Sequence, residues 1–299
     1  MGIAEDFLAD CQLRRMKTAS TYYRYVRRYC AFLEARRVRP QDVTRPDLKA
    51  FLEAFRERDV KQRSLDHCFA CLSTFYEYLV EEGQVETNPI IPFRRRYLKG
   101  YKEEVPDPRQ LISVEQMAML ISSILDSRDK AIVTLLAKTG MRRAELAALD
   151  VDDVSLERME VMLKPTAKRS NRLLYFDYET ANILAAWIRA RENREKTDRA
   201  LFPSRVSSRI SPSEVHKLVI LHATRVGLHI PESKRQEERF TPHCCRHWFT
   251  TYLIRSGMSR DFVKELRGDV RNEAVDIYNH IDRKELRESY MAHIPQLGI

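Results

Sequence analysis

Apolar residues recur at helical spacing along most of the chain. In residues 18 to 37, Tyr22, Val26, Cys30 and Leu33 share one stripe, with Thr18 or Ser20 available as a cap. Arg24, Arg27 and Arg28 lie off that stripe. Val38-Arg39-Pro40-Gln41-Asp42 reads as a turn. Thr44-Arg45-Pro46-Asp47 then opens a second helix to about Arg58, with Leu48, Phe51, Leu52 and Phe55 inward. A longer helix follows Ser64, carrying Leu65, Cys68, Phe69, Leu72, Phe75, Tyr76 and Leu79 until Gly83 stops it. Between Asn88 and Gln110 the periodicity breaks, and Pro89, Pro92, Pro106 and Pro108 exclude a continuous helix.

The pattern resumes at Ser113-Val114-Glu115-Gln116, which has the form of a capping box. Helices are expected over about 128–139, closed by Gly140, and over 142–149, 179–192, 212–226, 242–256, 260–266, 273–278 and 284–292. Residues 159–163 and 172–176 read as strands around a polar stretch, a hairpin with a long loop. The fold class is therefore mostly α with a small antiparallel β-sheet. Its expected division is a helical domain over 1–90, a linker over 91–110 and a second domain over 111–299.

Charge narrows the partner. The 299 residues carry a formal net charge of +9, spread over both halves, which suggests a polyanion and most often nucleic acid. Arg94-Arg95-Arg96, Lys99 and Lys102 make the linker the densest positive run, read as contacting phosphates as well as joining domains. No apolar run is long enough to span a bilayer, and the N-terminus lacks a secretory hydrophobic region. The protein is read as soluble, cytoplasmic and nucleoid-associated, with no membrane partner. Six cysteines without framework spacing are expected to be reduced. Cys68-Phe69-Ala70-Cys71, near His67, is formally a zinc spacing, but within a helical run it marks the core face. No metal or other cofactor is expected.

Three stretches carry chemistry. Thr241-Pro242-His243-Cys244-Cys245-Arg246-His247-Trp248-Phe249 starts a helix, with His243, Arg246 and His247 at i, i+3 and i+4 on one face of its first turn. That turn offers unpaired N–H groups and the positive dipole end, a seat for phosphate. The second stretch is Thr139-Gly140-Met141-Arg142-Arg143-Ala144-Glu145-Leu146. The third is Leu266-Arg267-Gly268-Asp269 with Ile277-Tyr278-Asn279-His280. Arg142 and Arg246 can each present paired N–H donors that never deprotonate. His243 can exchange protons near neutral pH. Tyr278, with an intrinsic pKa of about 10, is a poor nucleophile until such groups lower the barrier.

In this order and spacing the three boxes resemble the tyrosine recombinase family, the phage integrases and Xer-type recombinases. Its T-G-x-R-x-x-E-L, H-x-x-R-H and L-x-G-H…I-Y-x-H patterns match with one substitution, and the likeness spans roughly residues 15 to 290. The HCCRHWF and ELRGD forms look closer to archaeal members. The resemblance implies a helical, SAM-like core-binding domain and an α-rich catalytic domain. It also implies site-specific recombination of double-stranded DNA through a 3′-phosphotyrosyl intermediate, without ATP or metal. The expected assembly is a homo-tetramer on two DNA sites and a monomer when free. A type IB topoisomerase-like relaxase and a non-catalytic DNA-binding regulator are the alternatives.

By the same resemblance Arg142, Lys164, His243, Arg246, Asp269 and Tyr278 form the catalytic set. Lys164, after the first strand, is preferred as leaving-group acid over Lys168 on the loop. Glu145 is expected to orient Arg142, and His247 to support the site; Arg143 should point elsewhere on the helix and meet DNA or solvent. Arg94, Arg95, Arg96, Lys99, Lys168 and Arg169 are expected to meet DNA. Asp269 stands where the family has a second histidine. As a carboxylate it would repel phosphate, so it is expected to accept a hydrogen bond from Tyr278, an arginine or His243. The tail after Tyr278 is expected to dock either on a neighbouring protomer or back in cis.

Overall fold

Aromatic side chains placed every turn or so on the inward stripes build the first of two units, Met1–Glu104 and Val105–Ile299. The computed structural model describes residues 2–58, 60, 62–98, 110–165, 171–192, 199–204, 208–233, 235–269 and 281–299. The first unit holds α1 (Ile3–Leu13), α2 (Ala19–Ala35), α3 (Arg45–Arg56), α4 (Gln62–Glu81) and α5 (Ile90–Tyr97). Tyr29 of α2 meets Phe51 of α3 edge-on at 4.9 Å between ring centres, and Phe51 in turn meets Phe69 of α4. The Tyr29 hydroxyl lies 3.0 Å from that of Tyr76, which donates to the Pro40 carbonyl, so this core buries its phenols with partners.

Two elements depart from the sequence expectation. Helix α1 has no side-chain cap, and its short stripe of Ala4, Phe7 and Cys11 shows its purpose only through packing on α2 and the Phe7 contacts with Phe75 and Tyr78. Residues 91–97, expected as linker, instead form most of α5. Its Phe93 stacks on Phe69 at 5.5 Å, with Ile90 and Leu98 also buried. The prolines misled because Pro89 caps the helix and Pro92 sits in its first turn, where an amide has no intrahelical partner to lose.

The second unit contains α6 (Val114–Ser122), α7 (Ser127–Thr139), α8 (Arg143–Ala147), β1 (Val154–Ser155), β2 (Glu160–Met162), β3 (Leu173–Tyr175), α9 (Tyr178–Glu192), α10 (Pro212–Arg225), α11 (Pro242–Arg255), α12 (Arg260–Arg267) and α13 (Arg283–His293). The capping box at Ser113 forms as expected: Gln116 N–H donates to Ser113 Oγ and Ser113 N–H to Gln116 Oε1. The antiparallel sheet has the order β1-β2-β3, with Val161 opposite both Val154 and Leu174. β1, two residues long, is too short to show alternation in sequence. The helix expected over 273–278 lies outside the described residues.

Helix α7 is the axis of this unit. Nearly all of it is buried, and it packs chiefly on α9 and α11. Even Lys138 is fully enclosed, with its Nζ donating to Asp177 (2.5 Å), Glu179 (2.7 Å) and the Pro295 carbonyl (2.7 Å). Around this ammonium the C-terminal tail docks in cis. Leu286, Tyr290 and Ile294 are buried, Tyr290 Oη donates to the Lys138 carbonyl, and the Leu297 amide donates to Glu179. Among the described residues no helix is long and apolar enough to cross a membrane.

Candidate active site

The site begins where α7 ends. Gly140 closes that helix with φ of 59°, a left-handed conformation that favours glycine. A β-carbon there would also enter the van der Waals shell of the Phe249 ring on α11. Bare backbone at Gly140 thus lets α11 lie against the 139–142 turn. Arg142 is not the first residue of α8, as expected, but its extended N-cap. Glu145, buried on α8, receives the Arg142 amide at 2.7 Å and Arg142 Nη1 at 3.1 Å. One carboxylate therefore fixes both the backbone and the guanidinium of Arg142, the pairing foreseen for Glu145.

Arg246 enters from α11. It is 5% exposed, and a buried guanidinium must have acceptors. Its Nη1 donates to the Gly140 carbonyl at 2.8 Å, and its Nη2 to the Arg267 carbonyl at 2.9 Å and to Asp269 Oδ1 at 3.3 Å. Arg267 Nε lies 3.1 Å from Asp269 Oδ2. Asp269 accordingly faces two arginines, one of the three kinds of partner expected for it.

Arg142, Arg246 and His243 converge on a cavity of about 360 Å³, which Arg143, His216 and Thr241 also line. Among the described residues, no carboxylate lines it. Thr241 and Pro242 occupy the N-cap and first positions of α11, as expected, with Cys244 Sγ receiving the Thr241 amide at 3.3 Å. Fixed positive charge, an exposed imidazole and a helix start form a receptor for a tetrahedral oxyanion.

Several expected members stand elsewhere. His247 is half-buried and does not line the cavity, because successive helical residues diverge by about 100° and His247 flanks His243 on the side away from Arg246. Arg143, expected elsewhere on the helix and facing DNA or solvent, is exposed and lines the cavity. Lys164 is not brought there. Its Nζ turns back over the 150–153 turn to Asp150 and Asp153, each 2.9 Å away, and hydrogen bonds to Asp153 and then Asp150 hold its ammonium above the ordinary lysine range. Arg95 and Arg96 are exposed on α5, and Arg94 is half-buried. Tyr278, His280, Lys99, Lys102, Lys168 and Arg169 lie outside the described residues.

His216 was missed by sequence reasoning. It follows Val215 and precedes Leu218 and Val219 on α10, where a lone histidine carries no signal; only the packing of α10 beside α8 and α11 brings it in. Burial, and then Arg143, His229 and Arg239, hold its imidazole below the ordinary histidine value.

The second unit is thus a mostly helical one in which two arginines and a histidine line a single cavity. The profile of the phage integrase family matches residues 111–285, more than half of the chain, and that of the phage integrase N-terminal SAM-like domain matches residues 3–85. The chain belongs to the phage integrase family. It is 27% identical over 283 residues to the tyrosine recombinase XerC of Roseiflexus castenholzii, covering 93% of this chain and 87% of that protein. With XerC of Histophilus somni it shares 26% over 258 residues, covering 84% and 81%. The Tn1549 transposon integrase, solved in complex with transposon right end DNA, has the same fold, with a TM-score of 0.67, 17% identity and coverage of 96% and 98%.

Proposed function

We propose that this tyrosine recombinase cleaves and rejoins double-stranded DNA at specific sites, using Tyr278 as nucleophile. The observation that carries the reading is the convergence of Arg142, His243 and Arg246 on one cavity free of carboxylates among the described residues. In the proposed reaction the two guanidinium groups neutralise the non-bridging oxygens as charge builds in the transition state. His243 exchanges the proton of the attacking phenol or of the phosphate. The Tyr278 oxygen bonds to phosphorus, and the bond to the 5′-oxygen breaks, leaving a 3′-phosphotyrosyl link and a 5′-hydroxyl. A second 5′-hydroxyl reverses the step without ATP. Glu145 positions Arg142, and Asp269 positions Arg246 rather than touching phosphate.

The leaving 5′-oxygen needs a proton. Lys164 is committed to two carboxylates that hold its proton more tightly, the opposite of what a donor requires. We therefore assign this step to Lys168, in the sequence between β2 and β3. Exposed Arg95 and Arg96 supply phosphate contacts from the first unit, and a tetramer on two sites carries out exchange.

The test uses a duplex selected for tight binding from a randomised pool, nicked and end-labelled. Wild-type protein is expected to give a denaturant-resistant protein–DNA adduct, Tyr278→Phe none, and Lys168→Ala far less than Lys164→Ala. Specific binding with no adduct on any nicked substrate would overturn the reading.

A further inference from the structure

A second cavity, of about 420 Å³, adjoins the first and shares His216, Thr241 and His243 with it. Its remaining polar lining comes from Gln236, Arg239 and His229, again with no carboxylate among the described residues. The two cavities thus form a run of cationic and titratable groups from Arg142 to Arg239, with His216 at the junction. Arg142 and Arg246 are compensated from behind by Glu145 and Asp269, whereas His216 faces Arg143, His229 and Arg239, which oppose a proton on it until an anion arrives.

The geometry points to a second phosphate subsite, in which His216 and Arg239 hold the DNA phosphodiester next to the one gripped by Arg142 and Arg246. This rests on the reading proposed above. Adjacent backbone phosphates are linked through one sugar, so two receptors that share lining residues can engage neighbours on one strand. The state of His216 agrees with this. Arg143 on α8 and His229 and Arg239 on the loop before α11 oppose its protonation, as burial does, and His243 on α11 shares its cavity. A bound phosphodiester would offset that repulsion. His229 is held in place by its Nδ1–H, which donates to the Phe240 carbonyl at 2.9 Å, and serves as a wall of the subsite. His216 and Arg239 are therefore positioning residues, fixing the strand so that the scissile phosphate meets its arginines.

The test couples side chain to phosphate. Single uncharged methylphosphonates are placed at the scissile position, mapped from the adduct, and at two positions on either side. The affinity of each duplex is then measured for the full-length wild-type chain and for a His216→Ala/Arg239→Ala variant. Wild type should lose about tenfold in affinity at a position adjacent to the scissile phosphate. The variant should bind unmodified DNA about tenfold more weakly, lose nothing further at that position, and lose normally elsewhere. His216→Gln, which keeps an N–H donor and the helix, should restore the loss at that position and guards against misfolding of the double variant. Losses that add independently at every position, or a variant of wild-type affinity, overturn the subsite alone. A wild-type protein that forms no adduct overturns the subsite and the proposed reaction together.

Discussion

The two units bury very different things. Among the described residues, the interior polar groups of the first unit are Ser73 and tyrosine hydroxyls that bond one another or a carbonyl. The second unit encloses Lys138, Asp177, Arg128, Asp129, Glu145, Arg246 and Glu265. Removing charges from water is costly, and pairing them seldom yields more stability than apolar packing would. The interior of the first unit holds no charged side chain among the described residues. In the second, buried charges hold other groups in position. Glu145 fixes Arg142 and Arg246 ties α11 to the Gly140 carbonyl at the proposed phosphate site, Lys138 gathers the tail, and the Arg128–Asp129–His222 group ties α7 to α10.

Both tryptophans, Trp187 and Trp248, lie buried in the second unit, so their fluorescence in the intact chain reads that unit selectively. The largest effect should be on chemistry. Arg246→Ala is expected to slow adduct formation by about 100- to 1,000-fold, measured on saturating nicked DNA, with the tryptophan unfolding transition still present. Next, Lys138→Met strands Asp177 and Glu179 without their cation and should cost about 3–5 kcal/mol in urea unfolding followed by tryptophan emission. If that variant proves as stable as wild type, the contrast between the interiors has no energetic content.

Acid should separate the units as well. Burial opposes ionisation of Asp129, but hydrogen bonds from His222 and Arg128 outweigh it and hold the carboxyl below its ordinary value. A depressed carboxylate contributes stability above about pH 4 and loses it as pH falls through the folded-state value. Asp129→Asn should therefore flatten the acid limb of the tryptophan-detected stability curve. The smallest effect belongs to the first unit: Tyr29→Phe removes one buried hydrogen bond and should cost about 1 kcal/mol, seen in the helical circular dichroism and not in tryptophan emission.

Helices α2, α3 and α4 were legible because their stripes of large apolar residues face a single core. Helix α5 was not, since proline is read as a breaker wherever it stands, although the first turn tolerates it. The receptor was legible as far as its residues sit in short motifs: Arg142, His243 and Arg246 come together as expected. His216 and Arg143 join them, and Arg239 lines the adjoining cavity, through the packing of α8, α10 and the loop before α11, which leaves no local trace. The place of the Lys164 ammonium was equally hidden, because a strand end fixes the Cα while Asp150 and Asp153 hold the ammonium.

One missing methyl group joins these matters. Because Gly140 is seated under the Phe249 ring while its carbonyl holds Arg246, the approach of Arg246 to the turn that carries Arg142 depends on how closely an aromatic ring can lie on naked peptide. That one contact is hydrophobic, stiff against compression and indifferent to salt, unlike the ion pairs that hold the guanidinium groups themselves.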